Sequence, residues 1–439
     1  MNHAELVKNA GVVGAGGAGF PTHAKIGARV DVVLANGAEC EPLLHSDQFV
    51  MLDRAEQILD GLRTVMETTG AKRGVVCIKE KNTRGAKELE KHLTKNVSIL
   101  ALGDFYPAGD EHILTFEATG KITPEGGLPI DVGVLVQNVT TLANVARALK
   151  GEAVTSKVVT VGGEVAKPGV HVIPVGTPLS DVIAACGGPI RDDGVALLNG
   201  PMMGRLVEPS KEVVTKTTGG LFLLPRDNPL AQRLSRPLSA DIRLSRGACE
   251  QCRYCTDFCP RYLQGHSLKP HMIMRVMNEQ REPEVETVTD SFLCCECGVC
   301  DLFACPLSLS PRRFYREFKA SLSARKIWLR KRNKKCEADL YREHRRVPKG
   351  KLTRRIGVSG YDLAPEFHGK EWDVDAVEIP LSMHIGVAAE PVVRIGDKVG
   401  RGTVVGKIAS GKLGADVHAS IAGVVTKING RIRIERRGA

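Results

Sequence analysis

The sequence reads as a multidomain α/β protein, on three observations. From residue 1 to about 150, short apolar runs alternate with amphipathic stretches. Residues 378–439 carry two glycine-punctuated β-rich halves in tandem. Between these lies a segment in which cysteines recur at fixed short spacings. At 439 residues the chain is long enough for several domains, each with its own core.

The amino-terminal unit, 1–150, comes first. VDVVLANGA, GVVCIKE (74–80), VSILAL (97–102) and VGVLVQN (132–138) read as buried strands, because each is a short apolar run rich in β-branched residues. Between the first two, Met51, Ala55, Ile58, Leu59, Leu62, Val65 and Met66 recur at helical spacing. Strand and helix alternation of this kind builds an α/β layer. Ahead of the strands, GVVGAGGAGFPTHAK (11–25) concentrates glycines as a backbone does where it must approach a phosphate. It is not the G-x-G-x-x-G loop that follows a strand, so a standard dinucleotide fingerprint is not expected.

A second unit, 155–215, contains VVTVGGEVAKPGVHVIPVGTPLSDVIAACGG, a hairpin with turn residues followed by a short helix. The third, 240–325, carries the chemistry. Cys249 to Pro260 reads C-x2-C-x2-C-x3-C-P, and Cys294 to Pro306 repeats it with one extra residue before the last cysteine. In this pattern three close thiolates hold three corners of one [4Fe-4S] cube, and the cysteine before proline reaches the other cube. Cys249, Cys252 and Cys255 with Cys305 are therefore assigned to one cluster, and Cys294, Cys297 and Cys300 with Cys259 to the other. Two [4Fe-4S] clusters make the chain an electron carrier. Cys295 falls off register and reads as a buried neighbour. Paired structural zinc sites suit C-x2-C as well, but not tandem triplets each closed by Cys-Pro.

The formal charge of +11 is concentrated between Arg312 and Arg355. Few aromatics accompany it and no nucleic-acid module surrounds it, so no nucleic-acid partner is expected, and 326–377 reads as a basic linker with a solvated face. A docking surface for an acidic partner is the alternative. The opening MNHAELVKNAGVVGAGG lacks a charged n-region followed by an apolar stretch, and no apolar run approaches the ~20 residues of a membrane span. Reduced thiols and a cytoplasmic location are expected, without a membrane span.

Four motifs, GAGGAGFPTHAK, NGAECEP (36–42), YPAGDE (106–111) and VQNVTT (136–141), together resemble the flavin- and NADH-binding domain of the complex I flavin subunit, which the C subunit of the Rnf complex shares. The resemblance implies FMN lined by the backbone of Gly14, Gly16, Gly17 and Gly19, with Lys25 on its phosphate or ribityl chain and Phe20 on the nicotinamide side. It implies polar contacts to FMN from Asn36, Glu39, Asn138 and Thr141, and places Gly109 and Glu111 near flavin and NADH. Ala15, Ala38 and Gln137 depart from that family's usual residues.

Residues 155–215 resemble the β-grasp SLBB module, the cysteine segment a dicluster ferredoxin-like helical domain, and 378–439 the barrel-sandwich hybrid of biotinyl and lipoyl carriers. Lys412 stands in the hairpin where such carriers are modified, but the acidic-Lys sequence is missing, so it reads as a turn residue in a docking or packing module.

This order of modules, with NGPMMG (199–204), TKTTGG (215–220) and CEQCRYCTDFCPRYLQGH (249–266), resembles the cobalamin reductases of propanediol-utilisation microcompartments. The resemblance implies an NADH-dependent flavin and iron-sulfur enzyme that passes single electrons to a corrinoid. Its implied partners are NADH, a corrinoid or a corrinoid-handling enzyme of adenosyltransferase type, and a microcompartment shell or electron-transfer protein. An Rnf-C-like NADH dehydrogenase feeding a ferredoxin is the alternative. No catalytic acid–base pair is apparent, and the D-x-H-x-x-G signature of base-off corrinoid pockets is absent. His266, His271 and His418 could ligate cobalt, but read more readily as ordinary core or surface histidines.

Overall fold

Residues 2–279, 284–329, 331–332, 335–363 and 365–436 are described by the structure, a computed structural model. Arg330, Asn333, Lys334 and Ala364 of the basic stretch lie outside the described residues.

The amino-terminal domain is built on a four-stranded parallel sheet in the order Val97–Leu102, Arg73–Lys79, Val32–Gly37, Val134–Asn138. Its inner strands are buried on both faces, which is why they read as continuous apolar runs rather than alternating ones. The helix Ala55–Thr69 lays Ile58, Leu59, Leu62, Val65 and Met66 into the core and stops at Gly70, whose φ of +74° suits glycine. It crosses the helix Val139–Leu149 at Gly61, where a Cβ would stand 1.9 Å from the Leu142 carbonyl oxygen. The chain winds outward from Val32–Gly37 in one direction and places Val134–Asn138 on the other side, with Asn36 and Asn138 as register partners. A crevice at the carboxyl ends of two such strands is where open α/β sheets bind ligands.

A six-stranded mixed sheet follows, ordered Phe367–Glu371, Gly169–Pro174, Ser156–Gly163, Gly220–Pro225, Gly194–Leu198, Arg205–Val207. Alternate residues serve two cores: Val158, Val170 and Val172 join the amino-terminal domain, whereas Val159, Val161 and Ile173 pack under the helix Leu179–Ala185. The cysteine segment is helical, with Leu238–Ala248, Pro270–Glu279 and Pro311–Ala324 around its loops. At the carboxyl end, Ala376–Pro380, Arg431–Glu435, Gly423–Ile428 and Lys398–Val399 form one small antiparallel sheet, and Glu390–Pro391, Val404–Lys407 and Val417–His418 another. They enclose Val377, Ile379, Val405, Val417, Val425, Ile432 and Ile434.

The stretch expected as a solvated basic linker is ordered against the rest. Val347–Pro348 pairs with Phe105–Tyr106, and Phe367–Glu371 completes the mixed sheet. Arg342 and Arg346 both reach Glu117, and their guanidinium groups lie over the rings of Phe116 and Phe105 at 4.3 and 4.4 Å. Partners distant in sequence explain the difference, since composition alone cannot show that the arginines have them. Among the described residues, no helix is long and apolar enough to cross a membrane.

Candidate functional site

The glycine loop follows the helix His3–Asn9 and is closed on itself by Gly14 N–H donating to the Phe20 carbonyl at 2.9 Å. Two distant residues pin it: Thr141 Oγ1 accepts from Ala15 N–H at 2.9 Å, and Lys157 Nζ donates to Ala15 O at 2.9 Å. Ala15 is buried there, which leaves no room for a long basic side chain. Gly16, Gly17 and Ala18 are exposed, and among the described residues their amides have no partner in the chain. A Cβ at Gly17 would meet nothing within 4 Å, whereas one at Gly16 would press on Asn138 at 3.1 Å. Outward, unpaired amides beside open space fit the phosphate of a flavin nucleotide.

The remaining residues expected at this site fall into two groups. Lys25 pairs with Glu111 at 2.8 Å, Asn36 Nδ2 donates to the Gly109 carbonyl at 2.9 Å, and Phe20 is 37% exposed. These line the carboxyl end of the sheet. Glu39, Asn138 and Thr141 instead hold the frame. Glu39 accepts from Asp47 N–H at 2.7 Å and Gln48 N–H at 3.1 Å, capping the helix Ser46–Asp53. Burial, reinforced by Asp47, pushes its carboxyl up to about 7. Asn138 caps the helix Val139–Leu149 and donates to Asp47 at 2.7 Å. Lys157 and Asp47, buried beneath the loop, carry no sequence signal and escape a reading of the chain alone.

Cys249, Cys252, Cys255 and Cys305 line one cavity of about 210 Å³. Cys259, Cys294, Cys297 and Cys300 line a second, joined by Cys295, Arg312 and Tyr315. The two triplet loops share a backbone pattern: Gln251 and Glu296 have φ of +52° and +58°, and Arg253 and Gly298, each two residues on, have +68° and +78°. The extra residue of the second run is taken up by a π-helical turn, Val299–Ala304, where the first run has the ordinary helix Tyr254–Asp257.

Among the described residues no three His, Cys, Asp or Glu side chains converge to hold a single metal ion; the cysteines ring cavities instead. Amide groups already point at sulfur, from Glu296 N–H to Cys294 Sγ at 3.4 Å and from Leu309 N–H to Cys305 Sγ at 3.3 Å. Burial pushes the Cys259 thiol up to about 12, so it ionises in place only where bound metal stands in for the proton. The residues fit [4Fe-4S] cubes.

The second ring is tied to the flavin-type domain. Arg261, just after Cys259-Pro260, forks onto Asp110 at 2.6 and 2.9 Å. Burial alone would raise Asp110, but that guanidinium holds its carboxyl down at about 2. Tyr106 Oη donates to Cys297 O at 2.7 Å. Arg312 joins Asp301 to the Met202 carbonyl of NGPMMG, and Glu41 of NGAECEP accepts from Met202 and Met203 N–H. A cation directly after the Cys-Pro turn is the one signal in the sequence for these contacts. Each candidate cobalt ligand is engaged within the protein: His266 with Thr123 O at 2.9 Å, His271 with Thr256 Oγ1 at 2.8 Å, His418 with Asn9 O at 2.8 Å.

Comparison with known proteins follows the same division. Residues 7–147 match the Nuo51 FMN-binding domain, 158–206 the SLBB domain, 248–310 the 4Fe-4S dicluster domain and 373–438 the RnfC barrel sandwich hybrid domain. The chain is 41% identical to the cobalamin reductase PduS of Salmonella typhimurium, over 97% of this chain and 94% of that protein. It is 40% identical to the protein of that name from Citrobacter freundii, with the same coverage. To the RnfC-type component of the Na(+)-translocating ferredoxin:NAD(+) oxidoreductase complex of Acetobacterium woodii it is 34% identical, over 59% of this chain and 58% of that protein.

Proposed function

The chain belongs to the PduS family of cobalamin reductases, and from that membership we propose that it carries electrons from NADH to a corrinoid, through FMN at the glycine loop and two [4Fe-4S] clusters held by the two cysteine rings. NADH delivers two electrons together and cobalt accepts them singly, and a bound flavin with iron-sulfur clusters supplies that conversion.

This chain's own residues do the positioning. The amides of Gly16, Gly17 and Ala18 receive the phosphate, and Lys25 with Glu111 stands at the mouth of the crevice. Phe20 offers an exposed ring for a nicotinamide. The observation that carries the reading is the Arg261–Asp110 fork, which sets the Cys259 ring against the segment containing Gly109. Electron transfer between domains needs such a fixed approach. The partner is a corrinoid or a protein that handles one, and the compartment is a bacterial microcompartment; the latter is checked by co-fractionation with shell proteins.

The test is anaerobic. Holoprotein is mixed with NADH and aquacobalamin, and the cobalamin spectrum is followed. Formation of cobalt(II), lost in Cys252→Ser, supports the reductase. Reduced flavin and clusters beside unchanged cobalamin would replace it with a ferredoxin-linked NADH dehydrogenase, the reading favoured by the Acetobacterium relative.

A further inference from the structure

The two cysteine rings differ in what surrounds them. Cys259, Cys297 and Cys300 are 6, 8 and 7% exposed and sit between domains. The cavity of Cys249, Cys252, Cys255 and Cys305 lies at the surface instead: Cys252 is exposed, as are Gln251 and Arg253 beside it. Three large apolar side chains stand out around it, Leu244 at 43%, Tyr254 at 51% and Leu307 at 45% exposure. A cationic rim encloses them. Arg243 and Arg246 are exposed on the last turns of the helix that runs into Cys249, Arg253 lines the cavity, Lys269 is exposed before the helix carrying His271, and Arg355 Nη2 donates to Cys305 O at 3.0 Å. Glu250 is the carboxylate lining the cavity, and Asp257 faces Arg345 at 3.6 Å.

From this arrangement we infer that the face around Cys252 is the electron exit, and that it docks an acidic one-electron carrier protein. Apolar residues at the centre and cations at the edge match the anatomy of a transient protein interface. A free cobalt(III) corrin of net positive charge gains nothing from such a rim, whereas an acidic protein surface, including one that presents a corrinoid, is steered to it. The inference rests on the reading of both rings as cluster ligands. The electrons balance: NADH becomes NAD+ with release of a proton and two electrons, and two successive carriers each leave reduced by one.

The experiment uses the full-length holoprotein, with an acidic plant-type [2Fe-2S] ferredoxin as probe and a basic cytochrome c as its charge inverse. Binding is measured by calorimetry, and flavin bleaching by NADH separately in a stopped-flow cell. The ferredoxin is expected to bind, and to bind about tenfold or more weakly as salt rises from about 20 to about 300 mM. The double variant Arg243→Glu, Lys269→Glu should weaken it comparably while NADH bleaches the flavin at the parent rate. Equal binding of both probes, preference for the cytochrome, or insensitivity to the double variant overturns the inference. Loss of NADH bleaching with ferredoxin binding intact counts against the proposed function alone.

Discussion

The Tyr106 hydroxyl donates to the Cys297 carbonyl oxygen across 2.7 Å, with both residues buried. The bond spans 191 residues of chain and fastens the loop that carries three cysteines of the inner ring to the flavin-type domain. Tyr106→Phe keeps the ring packing and leaves the carbonyl unpaired. A loss of about 1–3 kcal/mol is expected by denaturant titration of the holoprotein, with slower bleaching of the clusters by NADH. Parent-like stability would mean that water replaces the hydroxyl.

Asp110 and Arg261 form a buried pair, so removing one partner strands the other. Asp110→Asn should cost about 3–5 kcal/mol, and the double change Asp110→Leu, Arg261→Met should recover most of it. The pH dependence has a definite sign. The folded carboxyl is held down at about 2, below the usual ~3.9 of an unfolded aspartate, so its contribution is present above ~3.9 and fades as pH falls towards 2. Thermal unfolding between pH 5 and pH 2 should steepen in the parent relative to the double variant.

Cys252 and Cys300 line different cavities, so Cys252→Ser and Cys300→Ser should each remove about half of the bound iron and leave different paramagnetic signals. Cys259→Ser should reproduce the Cys300→Ser spectrum although Cys259 lies in the first sequence run. A spectrum like that of Cys252→Ser would undo the crossed assignment.

Ala18 is exposed at the tip of the glycine loop, beside amides that face outward. Ala18→Glu sets a carboxylate against the phosphate of FMN. Unfolding should be unchanged within about 0.5 kcal/mol while FMN affinity, read by flavin fluorescence quenching, falls about tenfold or more.

His418 is buried at the junction of three domains, near Lys216, which donates to Gly11 O and Asp416 O at 2.7 and 2.9 Å. Burial, with Lys216 beside it, lowers the imidazole from 6.5 to about 4, and Asp416 opposes this. A lowered folded value means the unfolded chain binds the proton more tightly. Stability from this group is full above pH 6.5 and lost as pH falls through about 4, on the order of 3 kcal/mol in all. His418→Gln should flatten that window, measured by denaturant midpoints across pH 7 to 4.

Much of the architecture was legible because its signals are local. The β-branched runs of 74–80, 97–102 and 132–138 became strands of one parallel sheet, since burial on both faces imposes continuous apolarity. The helix through Ile58 and Met66 followed from its period. The basic stretch misled for the complementary reason. An arginine in solvent and an arginine forked onto a distant carboxylate look identical in composition, and Glu117, the partner of Arg342 and Arg346, is more than 200 residues away.

Eight cysteines in two ferredoxin-type runs, a glycine loop without side chains in the way of a phosphate, and β-rich halves at the chain's end are all written in the order of residues. Spacing along the chain decides these, because ligand triplets and turns are made within a few residues. Folding in three dimensions was needed to bury Cys259, Cys297 and Cys300 against the flavin-type domain while Cys252 faces outward. It also brought Lys157 under Ala15 and set Arg261 on Asp110. These choices depend on which buried charges can pair across domain surfaces, and a buried charge left unpaired costs too much for packing to leave them open.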